Sequence, residues 1–194
     1  MGKNLIFVIS GPSGSGKTTL VKKLFQDRFL KKVLARPISF TTRPRRKGEK
    51  DKRDYFFLKP EEFLRLRQAK KFLEWTRYLG YDYATSKDEI SRQLNEGRHL
   101  VLCVDQRGAF KIKKLFPKNT RLVFIQPPDL KTLEERIRLR ARGDKNKNEC
   151  EINQRLAGAR KELKYRHKYD WCIVNKRLDT ALKRLKEIIQ KEIR

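Results

Sequence analysis

The chain has 194 residues, enough for one domain with a sizeable core, and its 38% hydrophobic content excludes disorder on compositional grounds. Lys and Arg number 50 against 23 Asp and Glu, a net charge of +27, which bears on anionic partners and solubility and not on fold. Three cysteines without a CxxC pair and two histidines exclude a disulfide framework and argue against a cysteine zinc site, and no apolar run approaches membrane-spanning length. A reduced cytoplasmic protein is expected.

In chain order, the run LIFVIS from Leu5 to Ser10 reads as a buried strand, stopped by Gly11 and Pro12. From Thr18 a helix is predicted, with Leu20, Val21, Leu24 and Phe25 on one face. VLARPIS is a second candidate strand, and 60–98 mixes helix and strand. There Ser86 and Glu89 form a capping box ahead of a helix that carries Ile90 and Leu94 and stops at Gly97. HLVLCVD (99–105) and RLVFIQPP (121–128) are further strands. Asp129 caps a helix with Leu133 and Ile137 on one side. WCIVN (171–175) is a short last strand before a helix bearing Leu178, Leu182, Leu185 and Ile189.

Short apolar strands alternating with amphipathic helices predict an α/β fold, a parallel sheet covered by helices on both faces. The two most hydrophilic stretches, 43–54 and 140–155, interrupt that alternation and are expected to lie over the ligand crevice and outside the core.

Between the first strand and the first helix, GPSGSGKTT fits the phosphate-binding pattern G-x-x-x-x-G-K-[ST] at Gly11, Gly16, Lys17 and Thr18. The cradle comprises Gly11, Pro12, Ser13, Gly14, Ser15, Gly16, Lys17, Thr18 and Thr19. Its glycines let backbone N–H groups turn inward around phosphate oxygens, and the helix N-terminus adds positive potential. Lys17 can reach the β and γ phosphates of a nucleotide, and the Thr18 hydroxyl can bind Mg²⁺. A P-loop alone names no acceptor.

The following segments narrow the choice. SFTTRPRRKGEKDKRDYFF, FLEWTRYLGYDYATS, VDQRG, IQPPDLKTLEERI and NKRL follow the P-loop in order over about 190 residues. Together with it they resemble guanylate kinases. The resemblance implies a P-loop NTPase-type sheet (1–37, 98–128 and 160–194) with a GMP-binding subdomain (38–97) and a lid (129–159). It implies transfer of a phosphoryl group from ATP to GMP, and to dGMP, with Mg²⁺. Ser39, Arg43, Arg46, Tyr55 and Tyr83 would hold the GMP phosphate, for which arginine forks and hydroxyl donors are apt. Glu74 and Thr85 would read the guanine edge, a carboxylate accepting from N1–H and the 2-amino group. Asp105, at a strand's C-terminal end, would organise substrate or Mg²⁺. Lys17, Arg43, Arg136 and Arg155 would carry the chemistry, with Arg140 and Arg142 both open for a further lid role. The chain departs from the family pattern at Cys103 (usually an acid), Arg107 (usually Gln), Lys52 and Ala84 (usually Gly).

Two other readings are a P-loop kinase for another phosphorylated acceptor, such as a ribose bisphosphate, and a basic nucleic-acid-binding protein. Nonspecific nucleic-acid binding is compatible with kinase activity. No membrane association is expected, and the chain is expected to be a monomer or weak homodimer.

Overall fold

The computed structural model describes residues 4–46, 48–142 and 149–193. At its centre is β1 (Ile6–Ser10), whose five residues are all buried. β7 (His99–Cys103) and β8 (Thr120–Gln126) flank it, with β2 (Leu34–Ala35) and β9 (Trp171–Val174) at the edges. Every pairing in this five-stranded sheet is parallel. Side chains alternate across its faces, so the strands feed two cores. Phe7, Ile9, Val101, Val123 and Ile125 pack with α1 (Lys17–Leu24) and α8 (Leu178–Ile193). Ile6, Val8, Leu100, Leu102, Leu122 and Phe124 pack with α4 (Lys87–Asn95) and α5 (Gln106–Leu115). This is the predicted α/β architecture.

A second, four-stranded sheet has the order β4 (Phe56–Phe57), β3 (Phe40–Thr41), β6 (Tyr81–Ser86), β5 (Phe72–Tyr78). With α3 (Pro60–Gln68) it encloses a separate aromatic core of Phe63, Phe72 and Phe40. Two long helices, α6 (Leu130–Arg142) and α7 (Glu149–Leu163), pack on each other through Leu133, Ile137, Ile152 and Ala159. A four-residue helix α2 (Leu30–Val33) precedes β2.

Several boundaries differ from expectation for local reasons. The strand expected over VLARPIS contracts to Leu34–Ala35, because Val33 ends α2 and Pro37 has no N–H to pair. β8 stops at Gln126, ahead of Pro127 and Pro128. Ser86 accepts from the Glu89 N–H at 3.2 Å, but the Glu89 carboxylate is taken by Arg92 and Gln93, so only half the capping box forms. Asp129 caps α6 as expected, accepting from Thr132 N–H at 2.6 Å. α5 was not legible in advance: its start is fixed by Asp105, which accepts from the Gly108 N–H at 2.8 Å. Much of the hydrophilic stretch 140–155 is helix, its residues belonging to α6 and α7.

Candidate active site

The P-loop, the second sheet and α7 enclose a crevice of about 690 Å³. Gly11, Ser13, Gly14, Gly16, Lys17, Thr18 and Thr19 line its floor. Lys17 Nζ bends back over the loop and donates to the carbonyls of Gly11 and Pro12, the latter at 2.9 Å. Pro12 and Ser15 do not line the crevice. The Ser15 side chain is buried, and its contribution is made by its backbone.

That backbone is braced from β9's end. Asn175, 4% exposed, donates from Nδ2 to the Ser15 carbonyl at 2.7 Å, and its own carbonyl accepts from Arg136 at 3.1 Å. The brace fits so closely that a Cβ on Gly16 (φ 94°) would sit 2.3 Å from Asn175 Nδ2. Arg136 therefore ties α6 to the loop's support and does not line the crevice.

Across the crevice stand Ser39, Arg43, Arg46, Tyr55 and Tyr83, all lining it. Tyr55 packs edge-on against Tyr83 with ring centres 6.2 Å apart, and the Arg43 guanidinium lies 5.6 Å above the Tyr55 ring. Arg43, Tyr55 and Tyr83 thus form one contact cluster. Arg43 is 7% exposed and aimed by Glu49, whose two oxygens accept from Nη2 at 2.9 Å each. The same carboxylate accepts from the Arg46 N–H. Burial raises the Tyr55 hydroxyl above its ordinary pKa, so it stays a donor. This segment docks on α1 through Asp54, a buried carboxylate that meets Lys22 at 2.8 Å and Arg53 at 2.7 Å. Burial pushes Asp54 up, but the bonds from Lys22, the Lys50 N–H and Arg53 win and hold it far below the usual carboxylate range.

Glu74 also lines the crevice. It is 3% exposed, and burial, aided by the nearby Asp105 carboxylate, pushes its pKa up to about 7 against the opposing bond from Thr85. Thr85 donates to Glu74 Oε1 at 2.6 Å from a position behind it, outside the crevice lining. Glu74 Oε2 faces Gly108, where a Cβ would approach it to 2.8 Å. Asp105 lines the crevice and is fixed twice, by the Gly108 N–H and by the Thr76 hydroxyl at 2.9 Å. Among the described residues no group of three or more His, Cys, Asp or Glu clusters as a metal site.

From α7, Arg155 reaches over the P-loop, 8% exposed, and donates to Ser13 Oγ at 3.1 Å while Glu151 steadies its Nε at 3.0 Å. The side chains of Arg140 and Arg142 lie outside the described set. The sequence assigned no role to Asn175 and Glu49, which stand within the NKRL and SFTTRPRRKGEKDKRDYFF segments, and did not point to Thr76 or to two crevice acids of α7, Glu151 and Glu162. Burial raises the Glu162 pKa against the pull of Lys17. Its one sequence signal is that it is the sole acid in the basic run ARKELKYRHK.

Of the family departures, Cys103 lines the crevice with a thiol raised by burial, and Arg107 is exposed on α5 away from it. Lys52 takes φ 58°, the left-handed conformation that glycine adopts without strain.

The family model for guanylate kinase matches residues 3–192. A guanylate kinase of Thermotoga maritima is 37% identical over 190 residues, covering 98% of this chain and 88% of the relative. One from Synechocystis is 40% identical over 193 residues, covering 98% and 95%. The crystal structure of guanylate kinase from Anaplasma phagocytophilum superposes with a TM-score of 0.76 at 30% identity, covering 97% of this chain and 86% of that one. By sequence and by fold, this chain belongs to the guanylate kinase family.

Proposed function

We infer that this chain transfers the γ-phosphoryl group of ATP to GMP, giving ADP and GDP. The observation that carries this is one crevice lined both by the P-loop and by the Ser39, Arg43, Arg46, Tyr55 and Tyr83 group, with Glu74 in the same lining. We assign the P-loop to the ATP phosphates and the opposed group to the acceptor phosphate. A dianionic phosphate is matched by two guanidinium groups and hydroxyl donors. The Glu74 carboxylate accepts from guanine N1–H and the 2-amino group, a pattern that adenine does not offer. Thr85 orients Glu74.

The reaction demands alignment and charge neutralisation more than covalent chemistry. The acceptor phosphate is largely ionised at neutral pH and attacks in line without a general base. Lys17 leaves the Gly11 and Pro12 carbonyls for the nucleotide phosphates. Arg155 sits at the P-loop's mouth, ready to bridge donor and transferring group, while Arg43 steadies the acceptor. Arg136 acts through Asn175, as a positioning residue. Mg²⁺ fits the residues present, since it keeps several waters and takes one or two protein oxygens beside substrate phosphates. Thr18 and Asp105 would hold it, and when bound it would neutralise phosphate charge.

We further propose that 38–97 and 129–159 close as units over the 1–37, 98–128 and 160–194 core, excluding water. The chain acts as a monomer or weak homodimer in the cytoplasm. No described helix is long and apolar enough to cross a membrane.

The deciding experiment is a coupled assay with ATP, Mg²⁺ and each acceptor in turn. GMP and dGMP should be consumed, with AMP, CMP and UMP turned over far more slowly. Phosphorylation of a sugar phosphate such as a ribose bisphosphate, with GMP ignored, would reverse the assignment.

A further inference from the structure

The excess positive charge is not spread evenly. From Gln106 to Asn119, which includes the whole of α5, there is no acidic residue, and none occurs from Lys164 to Tyr169 at the end of α7 and the 3₁₀ turn that follows. The fold places these two segments side by side. The ring of Phe110 lies 5.5 Å from that of Tyr169, and Lys113 pairs with Asp170 at 3.6 Å. Arg107 and Lys114 sit one helical turn before and after Phe110, so they border the seam. On its other side Lys164, Arg166 and Lys168 are all exposed, as are Arg107 and Lys114. None of these five makes an ion pair among the described residues. Arg28, Lys31 and Lys32 on the α1–α2 side form a second exposed basic group, whose one aromatic, the exposed Phe29, is a phenyl ring in the α1–α2 turn, away from the α5–3₁₀ seam. Within the seam's patch stands an exposed tyrosine, Tyr165, with Lys168 Nζ 5.4 Å from its ring centre.

We propose that the α5–3₁₀ face is a binding surface for single-stranded RNA. The five cations supply phosphate contacts, and Tyr165 supplies a platform on which an unpaired base stacks. A duplex would offer phosphates but no free base face. A lipid headgroup surface would satisfy the charge but would leave an aromatic flanked by lysine, arginine and histidine without the leucine and phenylalanine wedge that interfacial binding uses. This surface lies outside the crevice and stands independently of the kinase assignment.

The test is fluorescence anisotropy with the full chain and a labelled 20-nucleotide oligo-U at 50–300 mM KCl. Each phosphate neutralised on a single strand contributes about −0.7 to the slope of log affinity against log salt, so five cations predict a slope near about −3.5. The triple variant Lys114→Glu, Arg166→Glu, Lys168→Glu should weaken binding by about ten-fold or more and flatten the slope by about 2. A second triple variant, Arg28→Glu, Lys31→Glu, Lys32→Glu, changes net charge equally and should bind almost as the parent does. Tyr165→Ala should lower affinity about five-fold or more with the slope unchanged, since it removes stacking and no charge. GMP phosphorylation, unchanged in all three, certifies the fold. Equal weakening by both triple variants would overturn the proposal in favour of diffuse charge. Binding to phosphatidylserine vesicles, with no affinity for oligo-U, would overturn it in favour of a membrane surface.

Discussion

Glu74 is held in a state that its proposed task does not want. To accept two hydrogen bonds from guanine it must be ionised, yet burial and the neighbouring Asp105 hold its proton until about pH 7. GMP binding should then release a proton, and the KM for GMP should rise as pH falls. Between pH 8 and pH 6.5 the ionised fraction of a group with this pKa drops about four-fold, and KM should climb by about the same factor. That window lies above the second ionisation of the nucleotide phosphate, near pH 6. The same shift bears on stability. The folded chain keeps this proton to a higher pH than the unfolded chain, whose value is near 4.5, so the stability it costs is absent below about pH 4.5 and grows to on the order of 3 kcal/mol above pH 7. Glu74→Gln should raise Tm at pH 8, the gain shrinking toward pH 5. It should abolish the pH dependence of KM and lower kcat/KM for GMP by about 10- to 100-fold, the range expected for lost bonds to a charged acceptor. A Tm gain as large at pH 5 as at pH 8 would show that Glu74 is ionised throughout.

At the scale of elements, the P-loop depends on a join between segments distant in the chain. The P-loop follows β1, but its Ser15 carbonyl is satisfied by Asn175 at the far end of β9, and the same asparagine receives Arg136 from α6. Asn175→Ala leaves a buried carbonyl without its donor and should cost about 1–3 kcal/mol by denaturant midpoint. It should raise the KM for ATP more than that for GMP, because only the donor loop loses its support. Equal rises in both would mean that the brace serves the fold alone.

Such joins explain what the sequence made legible. β1, β7, β8 and α8 were readable because apolar runs and 3.6-residue spacing report burial directly. The strand-to-helix loop from Gly11 to Thr19 was readable because its residues are contiguous. α5 was hidden, since its start depends on the Asp105 side chain. α7 was hidden because its apolar stripe is narrow, Ile152, Leu156 and Ala159 on an otherwise charged helix. Asn175, Thr76 and Glu162 enter the site by topology, a relation that local pattern does not carry.

Across the whole molecule, three bodies meet at the crevice, and two of the contacts that join the outer ones to the P-loop and the helix after it are polar links between side chains. Arg155 joins α7 to the loop at Ser13, and Lys22 joins α1 to the acceptor segment at Asp54. The second contact is offset from the nucleotide site, because Lys22 lies past the loop on α1 and Asp54 directly precedes Tyr55. It should therefore govern acceptor affinity and leave the donor side alone. Lys22→Met keeps the aliphatic stem and removes the charge, and Asp54 retains Arg53 and the Lys50 N–H, so the fold survives. The loss of about 1 kcal/mol of docking should raise the KM for GMP about five-fold, with the KM for ATP within about two-fold of the parent. Lys22→Arg should restore most of it. The pH profile separates this effect from that of Glu74. Asp54 has a depressed pKa, so its contribution is fully present above about pH 4 and fades only below that. Between pH 6 and 8 the Lys22→Met penalty should be constant while the Glu74 effect changes several-fold. A penalty that tracks pH in that window, or one shared equally by ATP, would show that the bridge acts through the P-loop helix and not through the acceptor segment.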